Sequence, residues 1–406
     1  MDLHSDICII GNGAIGKTAA LGFAQAGLSV TLIDAKPSVA SASLPVTTQG
    51  SAEQAWDLRV YALNSLAHEL LAGIKVWDAL DQSRVTPVDA MVVKGDGARH
   101  AGSLSFDAYG ARVGALAWIV EDHNLNHALD TALKFASNVQ RITATAVSML
   151  ADESTALVHL ADGRRVTAAL LIGADGAQSW VRSQSNIDFD YRPYGQQAIV
   201  ANFSTTLPHH GVAYQWFTQA EGIVALLPLA GERVSLVWSA PDMLAETLMG
   251  ESPEALAARL SLLCVEQLGA LHPLPPASVK AIPLSMTRPH AITAPRVALI
   301  GDAAHVVHPL AGQGMNLGFG DVTALIQAIV GRDAHRDCGD PRVLAHFARA
   351  RKEPILLMTL ATDGLQRLFT TDFEPLRLAR NAGMSLVDLL PGLKRRLLAH
   401  AMGSKT

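Results

Sequence analysis

Gly11-Asn12-Gly13-Ala14-Ile15-Gly16 decides how this chain is read, because it follows the apolar run Asp6-Ile7-Cys8-Ile9-Ile10 and precedes the helix-like stretch Lys17 to Ala26. A short buried strand, a glycine turn and a helix start, in that order, are the first half of a βαβ unit. Ser29 to Asp34 reads as the second strand, so the expected core is an α/β arrangement around a parallel sheet. In such a loop Gly11 permits the tight turn, Gly13 lets the backbone approach a pyrophosphate, and Gly16 allows close helix–strand packing. Ala14 and Ile15 open the helix whose N-terminus binds the phosphates. Asp34 closes the second strand some twenty residues on, where a carboxylate accepts hydrogen bonds from an adenosine ribose and disfavours a 2′-phosphate.

The same residues satisfy a second pattern. Gly11, Gly16, Lys17 and Thr18 stand at P-loop spacing, and Arg296 to Asp302 resembles a Walker B strand, so a P-loop ATPase is the sharpest competitor. Two features favour the dinucleotide reading: the middle Gly13 with an acid-terminated strand after it, and a second glycine-rich stretch beyond Asp302 that an NTPase leaves unexplained.

Composition narrows the field further. A chain of 406 residues exceeds the size at which one core stops growing, so two lobes are expected. With 49% hydrophobic and 17% charged residues there is room for a buried cofactor or an apolar substrate. A net charge of −5 argues against a nucleic-acid partner, since no long basic face is available to displace counterions. Cys8, Cys264 and Cys338 are far apart and without CxxC spacing, which suggests neither a disulfide framework nor a zinc cage. The opening Met-Asp-Leu-His-Ser-Asp has no basic n-region, and no window is apolar enough to span a bilayer; the expectation is a cytoplasmic protein whose membrane contact, if any, is peripheral.

Along the chain, Ser38 to Gln54 reads as a long loop, Ala62 to Ala79 and Glu121 to Ala136 as helices, and Thr155 to Leu160 with Arg165 to Ile172 as a hairpin across an Asp-Gly turn. Between about 185 and 285 strand-length pieces such as Gly222 to Leu229 and Arg233 to Trp238 indicate an antiparallel lobe, and from Arg296 the α/β pattern returns.

Two further motifs end apolar strands. Ala168 to Ile172 runs into Gly173-Ala174-Asp175-Gly176-Ala177, which on its own is a strand closed by an Asp-Gly turn. Val297 to Ile300 runs into Gly301-Asp302-Ala303-Ala304-His305 and then His308-Pro309-Leu310-Ala311-Gly312-Gln313-Gly314-Met315-Asn316-Leu317-Gly318-Phe319-Gly320-Asp321. His305 and His308 could suggest metal ligation, but no third ligand stands at a recognisable spacing, so no metal is assigned; either ring could equally pack at the loop.

Together the three motifs resemble those of the group A FAD-dependent monooxygenases, whose fold is that of p-hydroxybenzoate hydroxylase, in order and rough spacing over nearly the whole chain. The long string His308 to Asp321 is especially similar to the ubiquinone-biosynthesis hydroxylases. The resemblance implies a discontinuous Rossmann-like FAD-binding domain from 1–72, 113–184 and 286–365, an interleaved antiparallel β-sheet substrate domain from 73–112 and 185–285, and a C-terminal helical region over 366–406. It implies that Asp302 with Gly301 meets the ribityl chain of FAD. It also puts Pro309, Gly312, Gly314, Met315 and Asn316 at the flavin, with helix-start amides toward the pyrimidine edge. Asp175 is expected near the pyrophosphate and the passing NAD(P)H, Arg59 against the FAD from the long loop, and Val120 and Val147 on the adenosine side. A solvated charge is the plainer reading of Arg59. His308 with Pro309 is the expected polar group beside the reaction.

Only one dinucleotide fingerprint is present, so NAD(P)H must visit and leave. The family chemistry is reduction of FAD, capture of O2 as a flavin C4a-hydroperoxide and electrophilic hydroxylation of a phenol, here one carrying a polyprenyl chain in ubiquinone biosynthesis. A related hydroxylase of another small aromatic substrate and a non-catalytic FAD-binding protein are the alternatives. The basic–apolar segment Leu393-Lys394-Arg395-Arg396-Leu397-Leu398 could rest on an anionic membrane or belong to a closing helix.

Overall fold

A computed structural model describes residues 2–35, 55–95, 102–218, 221–308 and 312–370, without the side chains of 365–370. The strand Asp2–Ile10 pairs in parallel with Val30–Asp34 on one side and with Arg165–Gly173 on the other. Val139–Thr143 and Val297–Leu299 extend the sheet outward on the two sides, again in parallel. Ile7, Cys8, Ile9 and Ile10 are all buried, the pattern of a strand covered on both faces. Helix α1 (Ala14–Gln25) joins the first two strands and is buried through Ala19, Ala20 and Phe23. The hairpin of Ala156–Leu160 with Arg165–Gly173 is antiparallel, as its Asp-Gly turn predicts.

The segment expected as one helix over 62–79 is three pieces instead. Val60–Leu63 is a strand in a small sheet with Ala117–Glu121 and Thr86–Val88, then come helix α2 (Ser65–Gly73) and the single turn Trp77–Ala79. Asn64 marks the change: its side chain accepts from the Ala67 amide at 3.0 Å, which stops the strand and starts the helix.

The second large sheet is built on the 17-residue strand Phe189–Thr205, which pairs antiparallel with Arg233–Pro241 and Lys280–Pro289. Gly222–Leu229, Val212–Thr218, Ala90–Lys94 and Ser103–Asp107 continue it. The short helices α3 (Ala108–Ala111) and α5 (Trp180–Gln184), and the longer α4 (Asp122–Lys134), lie in the connections. Two helices that strand-length reading misses, α6 (Asp242–Gly250) and α7 (Pro253–Leu268), also belong to this lobe; Leu256, Leu260, Cys264 and Leu268 of α7 share a core with Phe203 and Trp238. Their signal was local: Ser252 caps α7 through the Ala255 amide and Pro253 occupies the first turn.

After Val297–Leu299 a single turn, Gly301–Ala303, leads toward helices α8 (Gln313–Val330) and α9 (Pro341–Thr370). Gly22 lets α8 lie against α1, because a Cβ there would fall 2.3 Å from Ile326 Cδ1. Among the described residues no helix is long and apolar enough to cross a membrane. Pro309 and the segment Leu393 to Leu398 lie outside the described residues, as does most of the C-terminal helical region expected over 366–406.

Candidate active site

Three turns that follow parallel strands are packed into one another. Gly11 has φ +119, and a Cβ on it would lie 2.1 Å from the Ala174 carbonyl oxygen, so the glycine loop and the DG turn touch backbone to backbone. Gly16 meets the same loop from the helix side, its Cβ position being 1.9 Å from the Gly11 oxygen. Ile15 bridges to the third motif: Cβ positions on Gly301 and Gly318 would come within 3.2 and 2.9 Å of its side chain. Gly312 begins α8 at φ +66, with the strand residue Ala62 3.3 Å from where its Cβ would stand. The chain around Arg59 therefore closes the same site.

The floor of this site is open and rich in donors. Gly13 is exposed and Gly314 half-buried, and at both, among the described residues beyond the adjoining chain, nothing lies within 4 Å of the position a Cβ would take. Neither α1 nor α8 has a side-chain cap or an acidic residue in its first turn, so their leading amides are left for a ligand of negative charge. Asn12 Nδ2 donates to Asp34 Oδ2 at 3.0 Å and fixes the carboxylate at the strand end, while Asn12 Oδ1 is a buried acceptor without a partner among the described residues.

Asp302 opens onto the cleft but is ringed by protein on its other sides, and this desolvation raises its carboxyl pKa against the opposing fields of His305 and Arg59. Arg59 sits with its guanidinium carbon 5.6 Å from the Tyr61 ring centroid, and Tyr61, then Asp122 and Asp302, hold it firmly protonated. Tyr61 donates to Asp122 Oδ1 at 2.6 Å, and its burial pushes the phenol pKa well above the usual range.

Several residues expected at the cofactor have their side chains engaged within the protein. Gly301 is buried and its amide is taken by Asp321 Oδ2 at 2.9 Å, so it aims Asp302 and offers no surface itself. Asn316 spends its side chain on Ala62 O and the Asn64 amide, leaving only backbone for a ligand, and Met315 is partly packed on the core. The carboxylate of Asp175 accepts from Ser179 Oγ at 2.6 Å and the Val181 amide at 3.0 Å, beside the N-cap Ser179 that starts α5. Arg182 reaches from α5 to the carbonyls of Ala177 and Ala303, tying the DG and GD turns together. Val120, expected on the adenosine side, is 0% exposed within the core, which overturns that expectation. Val147 is exposed on the strand Ala146–Ala151, four positions beyond Thr143, the residue opposite Asp34.

His308 is also corrected. It has no exposed surface; Nε2 meets Gln196 Oε1 of the second large sheet at 3.1 Å, and the Tyr194 ring stands edge-on at 4.9 Å. A fully buried ring cannot touch a substrate, so His308 joins the lobes. Burial lowers its pKa to about 4, against a smaller opposing pull from Asp363. The unfolded chain therefore binds a proton that the folded chain refuses, and stability falls with acid across the window from about 6.5 down to about 4. The loss should reach roughly 3 kcal/mol, read as urea midpoints along that pH range, and His308→Gln should flatten the slope.

The P-loop reading fails on geometry. Lys17 Nζ is buried against Asp130 Oδ2 at 2.7 Å and Asn126 Oδ1 at 3.1 Å, and Thr18 donates to the Ala14 carbonyl, so neither side chain serves a nucleotide or its metal.

Residues 119–354 match the sequence family described as an FAD binding domain. The chain is 34% identical to "Ubiquinone hydroxylase UbiL" of Rhodospirillum rubrum over 99% of its own length and 90% of that protein. It is 32% identical to the "3-demethoxyubiquinol 3-hydroxylase" of Escherichia coli, covering 98% of each. Among solved structures, p-nitrophenol 4-monooxygenase from Pseudomonas putida superposes with a TM-score of 0.75 at 16% identity over 100% of both chains. Klebsiella pneumoniae HpxO, solved with FAD and uric acid, superposes with 0.72 at 17% identity over 98% of this chain and 97% of that one. With three strand-end turns closing on one donor-lined cleft and full-length relatives above 30% identity, the chain belongs to the FAD-dependent monooxygenases of ubiquinone biosynthesis.

Proposed function

We propose that this enzyme hydroxylates a phenolic ring bearing an apolar prenyl chain, with NAD(P)H as the transient reductant and O2 as the oxidant. The observation that carries the reading is the uncapped start of α1 at the exposed Gly13, with Asp34 held nearby by Asn12, a donor and acceptor set that suits a dinucleotide. The α1 amides would take the pyrophosphate, Asp34 held by Asn12 the adenosine ribose, Asp302 the ribityl hydroxyls, and the Gly314-Met315 backbone the pyrimidine edge. Bound there, FAD supplies the oxygen-transfer chemistry that side chains cannot.

The chain's part is to position the ring and keep it dry. Trp56, Val60 and Ala62, beside the flavin loop at Gly312, pack with Met91, Phe106 and Leu227 of the substrate lobe around Ile119, Ala213 and Leu229. Asn202 Nδ2 fastens that lobe to the Asp57 carbonyl at 2.9 Å. An apolar seam at this place suits a lipid-like phenol, in keeping with the names of the relatives. Peripheral docking through the segment Leu393 to Leu398 would bring the site to a bilayer-resident substrate; its sequence alone supports this.

The purified holoenzyme should oxidise NADH or NADPH faster when a short-chain prenylphenol is added, and mass spectrometry should find a product heavier by one oxygen atom. No stimulation and no oxygenated product with any prenylphenol would point to a non-catalytic flavoprotein.

A further inference from the structure

We infer that Arg351 on α9 is a positioning residue for the flavin site, acting through the buried carboxylate of Asp321 on the turn that presents Asp302. The inference rests on Asp302 meeting the cofactor. Asp321, in α8, has no exposed surface, yet all of its acceptor capacity is directed at two places. Oδ2 takes the Gly301 amide at 2.9 Å and His305 Nε2 at 2.7 Å, the two ends of the turn that carries Asp302. Oδ1 takes Arg351 Nε at 2.7 Å, from a helix thirty residues further along the chain.

Arg351 reaches that carboxylate through a gap that the sequence provides. A Cβ on Gly320 would lie 3.0 Å from both terminal guanidinium nitrogens and 3.2 Å from the central carbon, so glycine leaves the space that the guanidinium fills. A second bond, Nη2 to the Leu317 carbonyl at 3.0 Å, fixes the plane of the group. Arg351 is itself buried, at 7% exposure. Burial alone would push the Asp321 carboxyl up, but His305 and Arg351 outweigh it and keep it ionised, so it can accept from the Gly301 amide and the His305 ring together.

Removing the guanidinium leaves a buried anion with one cation fewer, and the response falls on the remaining bonds, those to Gly301 and His305. The GD turn then loses its fixed aim and Asp302 meets the ribityl chain less often. A lysine, a point charge without the planar fork, restores charge but only part of the geometry.

The test uses full-length protein freed of FAD and retitrated, with flavin fluorescence giving Kd, visible circular dichroism reporting the flavin's surroundings, and melting of the FAD-free form reporting the scaffold. Arg351→Met should weaken FAD binding by about tenfold or more, and Arg351→Lys should recover part of that loss. Gly320→Ala, which keeps every partner, should weaken it by roughly threefold and alter the visible dichroism, with little change in FAD-free melting. If Arg351→Met does not fold, the lysine and Gly320→Ala proteins decide the matter. Wild-type Kd and dichroism in both would overturn the inference, as would a fall in FAD-free melting with an unchanged flavin spectrum. Asp302→Asn is measured alongside: if it leaves FAD affinity untouched, the ribityl reading of Asp302 is what fails; if it weakens binding while the Arg351 and Gly320 variants do not, the coupling fails.

Discussion

Gly11→Ala should leave no FAD-bound protein. At φ +119 an L-residue is strained wherever it sits, and here the added methyl would stand 2.1 Å from a carbonyl oxygen and 2.4 Å from the carbon of Ala174, both backbone atoms of the DG turn. Neither neighbour can rotate away. Ala174 is fixed to the sheet by its amide bond to the Ile10 carbonyl at 2.8 Å. The DG turn must move off the glycine loop, and the expected cost, about 4 kcal/mol or more, is a large part of the stability of an ordinary domain. The check is expression followed by spectroscopy: little soluble protein, and none of it yellow. A soluble Gly11→Ala protein with stoichiometric flavin would mean the two turns do not pack as described.

Asp321→Ala ranks second. It deletes the acceptor of three groups at once, the Gly301 amide, His305 and Arg351, and with them the aim of Asp302, and it strands a buried guanidinium. Stranding one partner of a buried ion pair costs about 3–5 kcal/mol, whereas an intact buried pair adds little net stability. The urea midpoint should therefore fall far more for Asp321→Ala than for a surface change such as Asp190→Ala, where both partners, Arg288 and His290, are exposed. The pH dependence carries a definite sign. The folded carboxyl is held below its ordinary value, so its contribution is complete above the carboxylate range near 4 and is lost as pH falls through the lower, folded value. Wild type should thus lose stability in strong acid through this group, and Asp321→Asn should lack that component.

How much of this was legible beforehand depended on whether a residue's role was set by near neighbours. The glycine loop, the strand ends at Asp34 and Asp302, and the hairpin at Asp162-Gly163 are local devices, and the chain shows them as their spacing implies. Ala62 and Leu63 fall inside the helix expected from Ala62 to Ala79 because a four-residue strand has no period to read; only pairing with Ala117–Glu121 makes Val60–Leu63 one. The Ser252-Pro253 start of α7 is a local signal, although the strand-length pieces around it dominate the pattern of this lobe.

Two site residues, His308 and Val120, stand away from their expected places because distant parts of the chain cover them. His308 stands next to a flavin-loop motif, but Gln196, 112 residues earlier, closes over it. Val120 sits in register with Tyr61, and the core of the FAD lobe covers it. The engagement of Asp175 is local by contrast, since Ser179, four residues on, donates to it. Asp321 ends the quoted motif yet is meaningless without Arg351, and nothing in a single sequence joins those two positions.

The central claim is that the turns after three parallel strands seat FAD, with its pyrophosphate over Gly13. Gly13→Val tests it most directly. At φ −77 and ψ 177 a β-branched residue is comfortable, and among the described residues nothing beyond the adjoining chain lies within 4 Å of the new Cβ, so the fold has no reason to object. The account predicts that the FAD-free protein melts as wild type does while its affinity for FAD falls by about a hundredfold, equivalent to roughly 3 kcal/mol. Unchanged FAD affinity in Gly13→Val would place the cofactor somewhere else.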